Sequence, residues 1–238
     1  MTGCASRSSF HGCRLMKEKQ GGPAEMSVSE KKAQIVPVTV YGTISEICYF
    51  LINSETKKGV LIDPGAEPKR LLEMIQAYGW QIEKIILTHG HFDHIGAVNQ
   101  IREELKIPVY AYETADTYLL NPAYNLSGSW GDAVTVENVL KLKEGESIDA
   151  AGFSLQVIHT PGHTEDSMIL YCEEEGFAFS GDTIFCGSIG RWDFPGGDYR
   201  TLQTSIIRKI FTLPEETVLY SGHSEPTDVG TEKRRYGF

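Results

Sequence analysis

The chain is poor in three things, and each shortage removes a class of protein. Its five cysteines, Cys4, Cys13, Cys48, Cys172 and Cys186, are scattered and odd in number, with no C-x-x-C pair. That pattern excludes a complete disulfide framework and suits reduced thiols, as expected of a cytoplasmic protein. No apolar run approaches the roughly 18 residues that a membrane span needs. Basic residues are outnumbered, 22 Lys and Arg against 32 Asp and Glu, for a formal charge of -10. Nucleic acid is gripped mainly through Lys and Arg, and anionic membrane would repel such a chain, so neither is an expected partner. Residues 1–26 lack the apolar middle of a signal peptide and are rich in Gly, Ser and Lys, so residues 1–30 read as a disordered leader or a start-site extension.

What is present is a hydrophobic fraction of 41% in 238 residues, ample for one large domain. Strand-like text begins at Gln34 with Q-I-V-P-V-T-V, followed by I-C-Y-F-L-I and G-V-L-I-D-P-G, each bounded by turn residues. A helix is predicted from Pro68, where proline's missing N–H costs nothing, with Leu71, Leu72, Ile75 and Tyr78 on one face. K-I-I-L-T forms a short buried strand, residues 97–105 a helix, and P-V-Y-A another strand. Residues 121–132, N-P-A-Y-N-L-S-G-S-W-G-D, read as a loop or lid. The second half repeats the theme, with strands in 153–162 and in S-M-I-L-Y-C, F-A-F-S-G-D-T and T-V-L-Y-S-G-H, and a helix through L-Q-T-S-I-I-R-K-I-F. Strands with interspersed helices define an α/β or α+β domain over residues 31–238.

The chemistry gathers in four stretches where an apolar strand runs out into Gly, His or Asp: L-T-H-G-H-F-D-H, H-T-P-G-H-T, F-S-G-D-T and L-Y-S-G-H. Neutral imidazole and carboxylate are natural ligands of zinc and similar divalent ions. Packing so many imidazoles together without a cation would cost desolvation for no gain. An extended backbone from His89 would turn His91 and Asp93 to the same side and leave His94 facing away, so the cluster can serve two metals. His159 and His11, by contrast, read as ordinary hydrogen-bonded histidines.

The H-x-H-x-D-H run of His89, His91, Asp93 and His94 resembles the signature of the metallo-β-lactamase superfamily. Within it the chain is similar to glyoxalase II (hydroxyacylglutathione hydrolase), particularly the short bacterial forms, and the likeness extends from about Gln34 to the C-terminus. The resemblance implies an α/β fold, a four-layer αβ/βα sandwich, with two divalent metal ions, zinc first and iron or manganese as alternatives, at one edge of the sheets. It assigns His89, His91 and His163 to one metal and Asp93, His94 and His223 to the other, with Asp182 between them. The implied reaction is hydrolysis of a small-molecule thioester such as S-lactoylglutathione by a metal-bridging hydroxide, with Asp93 and Asp182 as catalytic residues. Arg191, in G-R-W-D-F-P-G-G-D, resembles the basic residue that contacts a glutathione carboxylate; pairing with Asp193 or Asp198 is the alternative reading. After His223 the chain reads Ser224-Glu225, where the long form of glyoxalase II carries an aromatic residue.

Competing readings stay open at this level. Gly190 to Phe194 also resembles a stretch of the persulfide dioxygenases, which hold a single iron. Lactonase, β-lactamase and a metal-bearing binding module with its site shut by residues 121–132 are further alternatives. A tRNA-processing nuclease is opposed by the acidic balance.

Overall fold

The computed structural model describes residues 32–238. The expected leader, with Cys4, His11 and Cys13, lies outside them.

The first half builds β1 (Ala33–Tyr41), β2 (Ser45–Asn53), β3 (Lys58–Ile62), α1 (Pro68–Tyr78), β4 (Gln81–Ile86), α2 (Phe92–Ile95), α3 (Val98–Leu105), β5 (Val109–Tyr112), α4 (Asp116–Leu119), α5 (Ser127–Trp130) and β6 (Leu140–Leu142). Its six strands pair in sequence order. The first two pairings are antiparallel and the next three parallel. The second half adds β7 (Ser147–Ala150), β8 (Phe153–His159), β9 (Met168–Cys172), β10 (Phe177–Gly181), the hairpin strands β11 (Ile184–Phe185) and β12 (Ser188–Ile189), α6 (Tyr199–Arg208), β13 (Val218–Ser221), β14 (Thr227–Asp228) and α7 (Val229–Arg235). The second sheet runs β14-β13-β10-β9-β8-β7, with β10 and β13 parallel.

Alternation along β2 explains the layers. Tyr49 and Leu51 point into a core shared with Leu155, Leu170 and Phe179 of the second sheet. Cys48, Phe50 and Ile52 point the other way, against Leu71 and Ile75 of α1 and Val98 and Ile101 of α3. Both faces are apolar because both are covered. The outer face of the second sheet, Ile169, Ala178 and Leu219, packs on Leu202 and Ile206 of α6 and Val229 of α7. The architecture is therefore a helix-sheet-sheet-helix sandwich, a metallo-β-lactamase fold. Truncating a side chain such as fully buried Leu71 to alanine costs about 2–5 kcal/mol in such a core.

Local signals set the helix ends. Pro68 opens α1, and Gly79 closes it at φ 65, a conformation that costs glycine little. Asp198 accepts from Thr201 N at 2.8 Å to cap α6, and Asp228 does the same for α7 from Thr231 N at 2.7 Å; such caps contribute about 1 kcal/mol each. Tyr78, expected on the apolar face of α1, is 62% exposed and stacks on Trp80 with ring centroids 4.8 Å apart. Among the described residues, no helix is long and apolar enough to cross a membrane.

Candidate metal centre

β3, β4, β8, β10 and β13 release their C-terminal ends at one edge of the sandwich, each into a short loop carrying polar side chains. The two sheets are tied there, since Met168 N donates to Thr88 O at 2.9 Å and Ile47 N to Gly222 O at 2.7 Å. His89 and His91 follow β4, His163 follows β8, Asp182 follows β10 and His223 follows β13. Asp93 and His94 stand on the single turn of α2. That turn corrects the sequence reading: the backbone is extended only as far as His91 (φ -68, ψ 150), and helix begins at Phe92. His94 consequently does not face away; its ring lies 4.2 Å from that of His89.

Three groups of possible ligand atoms result, each with its atoms within 4.8 Å of one another: Asp63-His89-His94, and two trios, His89-His91-His163 and Asp93-His94-His223, that between them take up its histidines. Asp182 lies between them. Its Oδ1 is 3.4 Å from His94 Nε2, and its Oδ2 is 3.3 Å from His223 Nε2 and 3.6 Å from His163 Nε2. All seven residues singled out from the sequence as ligands are thus brought to one place. Gly222 permits this crowding, because a Cβ there would stand 2.6 Å from both Asp182 Oδ1 and His94 Cε1.

The imidazoles are oriented from behind. His94 Nδ1 faces Asp63 Oδ2 at 3.1 Å, His163 Nδ1 donates to Arg191 O at 2.7 Å, and His223 Nδ1 donates to Ser45 O at 2.9 Å. Thr88 Oγ1 donates to Asp63 Oδ2 at 2.5 Å, so it is free to accept from His89 Nδ1 at 3.2 Å. Each of these partners holds a proton on Nδ1 and turns Nε2 inward, the atom that a metal-binding histidine offers once it is deprotonated. His91 instead turns Nδ1 to His163 Nε2, 2.9 Å away. Several inward atoms, His89 Nε2, His94 Nε2 and Asp182 Oδ1 among them, are buried without a hydrogen-bond partner. Buried polar atoms are rarely left so, and a cation satisfies them. The donor set, five imidazoles and two carboxylates, fits two divalent ions.

Charge is divided unevenly across the cluster. Burial, reinforced by neighbouring imidazoles, holds His89 and His91 well below the usual histidine range, and burial lowers His163 too. Burial also opposes the charged forms of His223 and Asp182, but their mutual attraction prevails. The Asp182 and Asp93 carboxylates push His223 up to about 10, and His94 and His223 hold Asp182 well below the ordinary carboxylate range.

Three buried residues behind the ligands escaped the sequence reading of the site. Asp63, at φ 48 just past β3, accepts from Thr88 N at 2.7 Å besides its bonds to Thr88 Oγ1 and His94. Only its place between an apolar strand and Pro-Gly hinted at this. Glu46 on β2 brings a carboxylate within 3.8 Å of His94 Nδ1, and burial pushes it well above the ordinary range. Asn125, fully buried, pins residues 121–132: its Nδ2 donates to Tyr118 O (3.1 Å) and Val134 O (2.8 Å), and its Oδ1 accepts from Ser127 N (2.9 Å). Its carbonyl accepts from Phe92 N at 3.0 Å. The expected loop or lid is thus tied to α2 and carries α5.

The ligands open onto a cavity of about 210 Å³. Arg191 stands at its side, 60% exposed, bonded through Nε and Nη2 to both oxygens of Asp193 at 2.9 and 2.8 Å and stacked 4.1 Å over the Phe194 ring. Asp198, the other partner considered for it, caps α6 instead. His159 lies apart from the trios, stacked on Tyr112 at 4.0 Å with Nε2 donating to Glu165 O at 2.8 Å. Cys48 is buried and Cys186 half-buried; neither lines the cavity.

Fold and ligand geometry together define a class, the metal-dependent hydrolases built on two facing mixed sheets. Residues 47–223 match the model of the metallo-beta-lactamase superfamily, and the chain belongs to that family. It is 39% identical over 199 residues to the probable metallo-hydrolase YqgX of Bacillus subtilis, covering 83% of this chain and 93% of that protein. It is 34% identical over 209 residues to the hydroxyacylglutathione hydrolase GloC of Haemophilus influenzae, covering 86% and 96%. Among solved structures, the BLEG-1 B3 metallo-beta-lactamase superposes with a TM-score of 0.78 at 36% identity, covering 84% of this chain and 97% of that one. TTHA1623 in a di-iron-bound form superposes with a TM-score of 0.72 at 37% identity, covering 84% and 98%. The protein is a metal-dependent hydrolase of this superfamily.

Proposed function

We propose that the protein hydrolyses a small-molecule thioester. The observation that carries this is the pair of trios sharing Asp182, whose buried ligand atoms face a cavity lined by no serine, threonine or cysteine. With no hydroxyl or thiol among the described residues that line it, and with its carboxylates and imidazoles turned to the metal positions, water is the attacking group. When bound, two divalent ions supply a water acidified toward neutral pH and Lewis-acid polarisation of a carbonyl. The chain's own residues hold and orient. Asp63, Thr88 and the Arg191 and Ser45 carbonyls lock the imidazoles, Asp182 joins the two halves, and Asp93, 3.3 Å from His223 Nε2, is the carboxylate placed to take the water's proton. A thioester suits such a site because its sulfur leaves as a stable thiolate that needs no general acid.

The likeness to GloC, itself named a hydroxyacylglutathione hydrolase, supports the thioester reading. Zinc is the first candidate on ligand chemistry, with iron next, since TTHA1623 has been crystallised in a di-iron form. The free thiols of Cys48, Cys172 and Cys186 suit a reducing cytoplasm.

Metal analysis of protein isolated without added metal, followed by thiol release from S-lactoylglutathione and from simple acyl thioesters, tests the reading. Two metals per chain and thiol release are expected. One iron, with oxygen uptake on a persulfide and no thiol release, would replace it with the dioxygenase reading.

A further inference from the structure

The cavity beside the trios is walled mainly by hydrocarbon. Ile44, Phe92, Leu126, Trp130, Phe185 and Phe194 supply its apolar side chains, and Arg191 is the one lysine or arginine among its lining residues. That cation is already engaged, its fork closed on Asp193 and its face on Phe194. A substrate carboxylate would have to displace Asp193 to gain the paired contact that a guanidinium offers.

Leu126 shows that the wall is built rather than incidental. It takes a left-handed backbone, φ 72 and ψ -6, a strained conformation for a branched residue that persists only where the surroundings over-determine it. Here they do. Asn125 is held by three hydrogen bonds, Phe92 N is bonded to its carbonyl, and Ser127 Oγ accepts from Val134 N at 3.0 Å. The strained turn sets a nearly buried leucine, 9% exposed, into the cavity wall. One turn on, Trp130 lines the same cavity with 46% of its surface still open.

Size points the same way. About 210 Å³ is less than the roughly 300–1,000 Å³ of sites that enclose a drug-sized ligand. The cavity takes an acyl chain and the sulfur but leaves a peptide-sized carrier outside, over a rim with no unpaired cation among its lining residues.

Resting on the thioester reading above, we infer that the preferred substrate is a thioester of a medium-length aliphatic acid on an uncharged carrier end, with the acyl chain lying against Leu126, Trp130 and Phe185. In the reaction the water oxygen forms a bond to the acyl carbon, the carbon–sulfur bond breaks, and the water's proton is returned to the thiolate. The products are one carboxylic acid and one thiol.

The test uses the metal-loaded protein with three probes, hexanoyl-N-acetylcysteamine, acetyl-N-acetylcysteamine and S-lactoylglutathione. The hexanoyl ester should show kcat/KM at least tenfold above both others, since each methylene in an apolar pocket contributes about tenfold or more. Leu126→Ser should cut the hexanoyl-to-acetyl ratio by about tenfold. Independently of turnover, the unreactive thioether S-hexyl-N-acetylcysteamine should quench tryptophan fluorescence saturably, and Trp130→Phe should abolish the quench. Preference for S-lactoylglutathione, or a ratio indifferent to Leu126→Ser, overturns the inference and leaves the hydrolase intact. No thiol release from any of the three by two-metal protein overturns the thioester reading itself, and the quench then judges the apolar pocket alone: saturation supports it, and no response overturns it.

Discussion

The two ligand trios are built from nearly the same residue types and are nonetheless unlike. His89, His91 and His163 are each no more than 3% exposed, arrive on loops from both sheets, and are held as neutral imidazoles by burial. Asp93, His94 and His223 mix a carboxylate with imidazoles, His223 remains 23% exposed, and in the absence of a cation the group holds itself together by charge. A metal entering the first trio finds lone pairs ready on His89 and His91 Nε2 and has only the hydrogen bond from His91 Nδ1 to His163 Nε2 to displace. One entering the second must displace protons, which weakens its hold at a given pH. The first trio should therefore fill before the second.

Asp182 is where the comparison can be broken most completely, because its two oxygens reach toward both trios. Asp182→Ala should lower metal content at both and reduce thioester turnover by more than about 100-fold, beyond the 10–100-fold typical of outer partners. Metal analysis alongside thiol release checks this, and a variant that kept full turnover would refute the shared role.

Asp63→Ala sharpens the contrast. Asp63 touches His94 of the second trio directly and His89 of the first only through Thr88. Metal affinity of the second trio should fall about 10–100-fold, with a smaller loss at the first. Stepwise cobalt titration followed by visible absorption separates the two sites, and equal losses at both would erase the distinction.

How much of this was legible in sequence follows from what each signal measures. The ligands could be read because His, Gly and Asp at strand ends are chemically loud, and alternating apolar text gave β1 to β3 to within a few residues. The turn at α2 was not legible, since F-D-H-I carries no cap or helical period long enough to register, and extended alternation was the default. Asp63, Glu46 and Asn125 were quiet for another reason: each is a lone polar residue whose importance lies in what the tertiary fold sets against it. Tyr78 misled because helical period shows which side a residue shares, and how far the neighbouring layer reaches decides whether it is covered.

Behind the first trio sits Asp166, 1% exposed, where desolvation outweighs the help of the Thr164 hydroxyl and of its own backbone N–H; that hydroxyl is also engaged by Ser167 Oγ at 2.6 Å. Burial raises its carboxyl from 3.8 to about 7. Below pH 3.8 folded and unfolded chains are both protonated there. As pH rises through that value the unfolded chain ionises and the folded one does not, so stability declines until about pH 7 and is then level. The whole loss is about 4 kcal/mol. Asp166→Asn, uncharged at every pH, should remove that decline and leave the protein more stable than the parent at pH 8, with little change at pH 4. Urea unfolding at the two pH values measures it, and a parent slope that survives the substitution would show that the decline originates elsewhere.

The smallest effect belongs to the histidine outside both trios. His159 ends β8, four residues before His163 in sequence, and its stack on Tyr112 and bond to Glu165 O engage neither metal group. Its ring serves the packing of that strand end, where a lost hydrogen bond contributes about 0.5–1.5 kcal/mol. His159→Ala should lower the unfolding free energy by about that amount and leave metal content and turnover within about twofold, since the imidazoles that face the cavity are oriented by other partners. A histidine this near the centre that proved indispensable to metal retention would mean that the loop to His163 is held from β8 rather than by the Arg191 carbonyl, and the first trio would then be the more easily disturbed of the two.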